Sequence, residues 1–273
     1  VSNTKTAISW TDKTWNPVTG CSRVSPGCGD STGGGCYAEA LSLRFGHTKR
    51  PWTAQNAAEN VVCHPERLRQ PLSWRQPAKI FVNSMSDLFH ERVPDEFILN
   101  VWETMAAAQR HTFQILTKRP ERMRDWVRKY GNVIGTDKPA LTNVWLGVSV
   151  EDQRRADERI PLLMDTPAAV RFLSCEPLLG AVWLHRWIGH PRLSVDGKSW
   201  ASFDEPPGIQ WLITGGESGP DFRPMNVDWA RSLRDQCQAA GMAFFYKQGS
   251  SRLPGRDTLL DGVEWKQFPA VPA

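Results

Sequence analysis

Three of the chain's six cysteines, Cys21, Cys28 and Cys36, fall within sixteen residues. They lie in WNPVTGCSRVSPGCGDSTGGGCYAE, from Trp15 to Glu39, with six glycines between Gly20 and Gly35. Glycines let such a loop bend through positive φ wherever a central object requires it. Thiolates gathered by it suit a soft metal centre. The gaps are six and then seven residues, whereas structural zinc takes ligands in pairs about two to four residues apart. A fourth ligand would have to come from His47, Cys63 or His64. A [4Fe–4S] cluster normally takes four thiolates, so three would leave one iron open to a substrate or cofactor.

Composition narrows the setting of that chemistry. At 273 residues the chain is long for one domain but ordinary for an α/β barrel. Hydrophobic residues at 40% and charged residues at 23% describe a soluble globular protein with a large core. No apolar run approaches the roughly 18 residues that would span a bilayer, and VSNTKTAISW has no signal-peptide core. The expectation is a cytoplasmic protein with no membrane partner. In that reducing setting six cysteines read as metal ligands or catalytic groups, not as three disulfides. The net charge of +4 is too mild to announce nucleic-acid binding by itself. Thirteen tryptophans are spread along the chain; some could stack on bases, but their usual burial makes most of them packing residues.

The elements that must position the cysteines follow a regular alternation. A strand is expected near Ala7 to Trp10, then a helix from Tyr37 or Ala38 stopped by Gly46. Residues 47–77, broken by prolines, read as irregular with short helical pieces around Pro65 to Gln70. From Lys79 the pattern is KIFVNS (strand), Pro94 to Arg110 (helix), TFQILTK (strand) and PERMRDWVRKYG (helix closed by Gly131). It continues with NVWLGVSV (strand), EDQRRADERIPLLM (helix interrupted by Pro161), VRFLSCEP (strand) and an irregular insertion over 180–208. IQWLITGG (strand), a helix capped at Asn226 or Asp228 and stopped by Gly241, and AFFYKQ (strand) complete it. That last helix turns Trp229, Leu233 and Cys237 inward. The tail carries a short hairpin at Asp261-Gly262. Strands alternating with helices imply a parallel sheet, and near-continuous apolar strands imply that both its faces are covered. No phosphate fingerprint follows the first strand, which disfavours an open doubly wound sheet. The fold expected is a single α/β domain over 1–273, a partial or complete (β/α) TIM-type barrel with the cysteine loop after its first strand.

In such barrels functional groups sit where strands end. Those positions hold Asn83, Ser84, Ser86, Asp87 and His90; Thr117, Lys118 and Arg119; Ser149 and Glu151; Ser174, Cys175 and Glu176; Thr214 and Glu217; Lys247 and Gln248. Helix caps also need Ser, Thr and Asp, so one polar exit means nothing, but six in a row describe a polar mouth. Lys118, Glu176, Glu217 and Lys247 stand out, because a long charged side chain rooted in a strand needs a partner. They could pair as a structural ring or grip the amino, carboxylate and ribose groups of a small ligand. Lys118, Arg119, Arg122 and Arg223 suit phosphate contacts and equally suit ordinary helix surfaces.

NPVTGC, the Gly27-Cys28 pair and Cys36-Tyr37-Ala38 resemble the cluster loop of radical S-adenosylmethionine enzymes related to spore photoproduct lyase. With ISWTDKTWNPVTGC, FVNSMSDLFH, LTKRPERM, VWLGVSVED, FLSCEPLLG, ITGGESGPDFRPM and FFYKQ, nearly the whole chain resembles a phage- and bacteria-borne, radical-SAM-like family. The resemblance implies a partial TIM barrel with a [4Fe–4S] cluster on Cys21, Cys28 and Cys36. Its open iron would chelate S-adenosyl-L-methionine, and reduction by an electron donor would release a 5′-deoxyadenosyl radical that abstracts hydrogen. The cofactor-binding set it implies draws on Tyr37, Ser84, Asp87, Lys118, Ser149, Glu151, Glu176, Gly215, Gly216, Glu217 and Lys247. The relation to photoproduct lyase points to a nucleic acid or nucleotide substrate. Two departures stand out. GDSTGGG widens the second cysteine gap, and Gly215-Gly216-Glu217 follows a late strand, whereas the family's Gly-Gly-Glu follows the second. The alternative reading is a non-catalytic iron–sulfur or zinc protein that binds nucleic acid or a partner. A hydrolase or lyase working from the polar mouth alone has neither a nucleophile elbow nor an HExxH pattern behind it.

Overall fold

A computed structural model describes residues 6–30, 33–130, 140–188 and 208–270. Seven short runs rich in β-branched and aromatic residues make one sheet: β1 (Lys13–Trp15), β2 (Lys79–Val82), β3 (Thr112–Thr117), β4 (Val144–Ser149), β5 (Val170–Cys175), β6 (Trp211–Thr214) and β7 (Ala243–Tyr246). They pair in sequence order, every neighbour parallel. The helices are α1 (Tyr37–Arg44), α2 (Asp95–Ala107), α3 (Pro120–Tyr130), α4 (Gln153–Met164) and α5 (Val227–Ala239). The sheet curls into a half-barrel, a partial TIM-type architecture; among the described residues no ladder joins β7 to β1.

The two-residue period of the strands sorts their side chains into two cores. Phe81, Trp145, Phe172, Trp211, Ile213 and Phe245 point inward and pack with Trp10. Their sequence neighbours, among them Val82, Ile115, Val148, Leu173, Leu212 and Phe244, point outward under the helices. All six positions of β4 and of β5 are buried, as strands covered on both faces require. Gly147 faces inward, and a Cβ there would lie 2.6 Å from the Phe172 ring. Only hydrogen fits.

The expected strand at Ala7 to Trp10 is absent. Thr11 N donates to Ile8 O in a turn, and the Trp10 indole packs 4.6 Å from Phe81 and 6.1 Å from Trp211. Burying that ring at the base of the half-barrel outweighs extending the chain, so the first strand begins at Lys13. Pro161 does not interrupt α4. It lies in the last turn, its carbonyl still accepts from Asp165 N, and buried Ile160 and Leu163 hold the helix to the sheet. Leu233 and Cys237 of α5 are buried as expected and Trp229 is half-buried. Residues 47–77 contain short helices at Ala57–Asn60 and Gln70–Ser73, a 3-10 turn at Pro65–Arg67, and a two-residue strand, Val62–Cys63, that pairs antiparallel with Val18–Thr19. Most of the 180–208 insertion, and the Gly131 helix stop, lie outside the described residues.

The tail finishes the edge. Trp265 O accepts from Tyr246 N and Gln267 N donates to Phe244 O, which occupies the free side of β7. Phe268 packs 5.1 Å from Trp211 and receives the Lys79 ammonium at 4.7 Å, linking β6 to β2. Asp261 and Gly262 have φ of 56° and 75°, and Leu260 and Val263 exchange backbone hydrogen bonds around them, so the hairpin forms where expected. No helix among the described residues is long and apolar enough to cross a membrane.

Candidate functional site

The cysteine stretch leaves β1 at the end of the half-barrel where every strand exits. The segment after β2 anchors its first part. Asn16 Oδ1 accepts from Ser84 Oγ (3.2 Å) and Met85 N (3.0 Å), Ser86 Oγ donates to Val18 O (2.8 Å), and Asn83 Oδ1 accepts from Val18 N (3.3 Å). Gly20, at φ 81°, passes so close to Asn60 that a Cβ would sit 1.8 Å from its carbonyl oxygen. Arg23 makes two 3.0 Å bonds to Glu39 of α1, whose carboxylate also accepts from Trp52 N. This explains why Glu39 is buried inside the first turn of α1.

Later strand exits hold the second part. Ser25 Oγ donates to Glu151, and Gly27 lies against the same side chain, leaving no room for a Cβ. Arg159 donates to Glu151 at 3.0 Å from beneath. Glu217 accepts from Gly35 N (3.2 Å) and from Arg223 through its backbone N (2.9 Å), Nε (3.0 Å) and Nη2 (2.9 Å). Arg223 reaches on to Pro26 O and Asp30. Glu217 and Arg223 therefore form a latch on the glycine-rich half of the stretch. Burial pushes both carboxyls up, but Lys118, Arg159 and Ser25 hold Glu151 below the usual carboxylate range, and Arg223 does the same for Glu217.

Under this stretch lies the mouth. By the same alternation that places Phe81, Leu116, Trp145, Phe172, Ile213 and Phe245 inside, the last inward positions are Asn83, Lys118, Ser149, Ser174, Gly215 and Lys247. Asn83 Nδ2 and Ser149 Oγ are buried and meet no partner among the described residues. Lys118 is half-buried; burial opposes its charge, yet the facing Cys28, Glu151 and Cys36 outweigh it and hold its pKa above that of ordinary lysine. Lys247 pairs with Glu176 at 2.5 Å. Tyr37 donates to Ser84 O at 2.6 Å, and burial of its hydroxyl pushes its pKa up.

The three thiols lie beside this mouth. Cys21, Cys28 and Cys36 are free and half-buried, and Cys28 lies near enough to each of the others to raise its pKa. Burial, with Asp87 adding to it, pushes Cys21 up to about 12 against the pull of Arg119. Burial also raises Cys36, opposed by backbone N–H groups of α1's first turn and by Lys118. Unbound, Cys21 and Cys36 stay protonated; a cationic centre would be needed to ionise them. No three His, Cys, Asp or Glu side chains among the described residues come close enough to hold a single metal ion. A preformed zinc site is therefore absent among them. A [4Fe–4S] cube is larger than an ion and draws its thiolates from farther apart, and three free thiols beside a glycine-rich backbone fit that donor set.

Several residues singled out in the sequence are engaged within the protein. Asp87 accepts from Thr117 Oγ1 (2.8 and 3.0 Å), Lys118 N (3.0 Å) and Phe89 N (3.0 Å). Gly216 N donates to Gln248 O, and a Cβ there would collide with Ser250. Gly215 N donates to Cys175 O, and its carbonyl accepts from Leu178 N. Of the basic residues suited to phosphate, Arg119, Arg122 and Arg223 spend donors on protein acceptors. The Lys118 ammonium has no hydrogen-bond or ion-pair partner among the described residues, its backbone N alone donating to Asp87. His47 and His64 stand apart from the thiols: His64 bonds Thr19 and Glu66, and His47 is exposed beside Phe45. Sequence reasoning missed Asn16 and Ser25, whose partners are distant along the chain, and Arg159, which reaches back from α4 to Ser149 and Glu151. Two grooves on the helical layer, of about 490 and 380 Å³, are lined by none of the strand-exit residues.

No curated protein and no solved structure matches the chain. A single family model covers residues 5–269, the cysteine stretch and every strand of the half-barrel included. The chain belongs to the family described as protein of unknown function, DUF5131.

Proposed function

We propose that the chain is a radical S-adenosylmethionine enzyme that holds a [4Fe–4S] cluster on Cys21, Cys28 and Cys36. The observation that carries the reading is the placement of three free thiols on one stretch, latched from two strand exits, over a mouth where the Lys118 ammonium, Ser149 Oγ and Asn83 Nδ2 have no partner among the described residues. When bound, the reduced cluster and S-adenosylmethionine supply a 5′-deoxyadenosyl radical by cleavage of the sulfonium.

The chain's own residues bind, orient and exclude water. Lys118, Ser149 and Asn83 present an ammonium, a hydroxyl and an amide N–H₂, which suits a carboxylate. Glu176, balanced by Lys247, suits an amino group. Phe172, Ile213 and Phe245, one inward step below Ser174, Gly215 and Lys247, floor the mouth with apolar side chains, so a reactive carbon there meets C–H bonds and little water. The reading extends to the cofactor and not to a nucleic-acid substrate, because Arg119, Arg122 and Arg223 are turned to protein partners.

The test is anaerobic reconstitution with iron and sulfide, reduction with dithionite in the presence of S-adenosylmethionine, and chromatographic detection of 5′-deoxyadenosine. The expected result is 5′-deoxyadenosine in proportion to loaded protein. A cluster that assembles and never cleaves S-adenosylmethionine would leave an iron–sulfur binding protein in place of an enzyme.

A further inference from the structure

We propose that Arg119 is a positioning residue for the Cys21 sulfur, and that it sets how readily a cluster held there accepts an electron. The inference rests on the cluster reading above. Arg119 lies two residues beyond β3, with its side chain only 11% exposed. A guanidinium has five N–H donors in a rigid fork, and here five acceptors surround it. Nη1 reaches Cys21 Sγ at 3.5 Å and Asp87 Oδ2 at 3.4 Å. Nη2 donates to Ser22 O at 3.1 Å and Ser22 Oγ at 3.0 Å. Nε donates to Glu91 at 3.2 Å.

Two of those partners, Asp87 and Ser22, are themselves fixed. Asp87 is held by Thr117, Lys118 N and Phe89 N. Ser22 Oγ lies 2.9 Å from His90 Nε2, and His90 Nδ1 accepts from Arg92 N, so Nε2 carries the proton and donates. Ser22, Asp87, His90 and Arg119 thus build one buried shell behind a single cysteine. The other two thiols are treated differently. Cys36, at the N-cap of α1, makes no side-chain cap hydrogen bond, and among the described residues neither Cys28 nor Cys36 receives a side-chain donor.

Hydrogen bonds to cluster sulfurs and nearby charge are what tune an iron–sulfur potential. A guanidinium on the Cys21 sulfur favours the more negative, reduced form, so its loss must lower the potential. Removing it also leaves Asp87 and Glu91 without their cation, which acts in the same direction.

The experiment is a redox titration, followed by electron paramagnetic resonance, of the reconstituted full chain as wild type, Arg119→Met, Arg119→Gln and Arg119→Lys. The two neutral variants are expected to load a cluster whose oxidised-to-reduced ratio at a fixed poise rises about tenfold, about 59 mV for a one-electron couple. Arg119→Lys should fall between them and wild type. Equal potentials in wild type and whichever neutral variant loads would give Arg119 a structural role only. If neither neutral variant loads, Arg119→Lys decides: it keeps charge without the fork, and an unchanged potential there also overturns the proposal. A wild-type chain that takes up no cluster overturns the cluster reading itself, a different outcome from wild-type cluster with unshifted variants.

Discussion

Glu217→Ala tests the latch that holds the glycine-rich half of the cysteine stretch. The substitution removes four hydrogen bonds at once, one from Gly35 N and three from Arg223. It also leaves a guanidinium that is only 14% exposed, opposite a carboxylate that is 5% exposed, with Asp30 and Pro26 O as its remaining partners. Removing one partner of a buried pair costs about 3–5 kcal/mol, because the other charge is left without compensation. Asp30 still faces Arg223 in the variant, so the lower end, about 3 kcal/mol, is the expectation. For a chain of this length that corresponds to a fall in Tm of about 6–12 °C. Glu217→Gln keeps the shape and loses the charge, and should fall between. Arg154→Ala, which breaks an exposed helix-surface pair with Glu158, should leave Tm where it is. The assay is thermal denaturation of the metal-free protein, paired with iodoacetamide labelling mapped by mass spectrometry. Cys28 and Cys36 should label faster in Glu217→Ala, whereas Cys237, buried in α5, should not. A Tm within about 2 °C of wild type, with unchanged labelling, would refute the latch.

Other expectations follow from the same contacts. Gly147→Ala places a Cβ 2.6 Å from the Phe172 ring and should cost about 1–3 kcal/mol by overpacking, measured by urea denaturation. Glu151 and Glu217 are both held below the ordinary carboxylate range. The unfolded state therefore binds their protons first, so their contribution is full above about pH 5 and is lost as pH falls through their folded values. Denaturation midpoints taken from pH 7 to pH 3 should fall less steeply in Glu217→Gln than in wild type. Lys118→Met should leave Tm within about 2 °C of wild type and weaken S-adenosylmethionine binding about tenfold or more, the value of one charge-assisted hydrogen bond; equilibrium dialysis of loaded protein checks it.

Much of the framework could be read in the chain because the physics was local. The strands β2 to β7 carry apolar residues on both faces, and α5 begins at the Asn226 cap and stops at Gly241. The polar residues at strand exits sit where alternation carries them: Asn83, Lys118 and Lys247 each one inward step beyond Phe81, Leu116 or Phe245, and Ser149 one step beyond Gly147. What could not be read depends on contacts far apart in sequence. Trp10 looked like part of a strand, but its ring is drawn to Phe81 and Trp211. Pro161 looked like a break, but the buried residues around it hold the helix. Glu151 and Glu217 looked like ligand-grasping carboxylates, and their geometry instead ties Ser25, Gly35 and Arg223 into place. Arg119, one basic residue among several in sequence, is distinguished only by where Cys21 and Ser22 arrive.

The most direct test of the central claim is the iron and acid-labile sulfide content of anaerobically reconstituted wild type, Cys28→Ala and Cys63→Ala. Cys28 is placed among the ligands, whereas Cys63 pairs with Val18 in the antiparallel ladder behind the stretch. The account predicts about four irons per chain in wild type and Cys63→Ala, and loss of the cluster in Cys28→Ala. Full iron and sulfide in Cys28→Ala would contradict it.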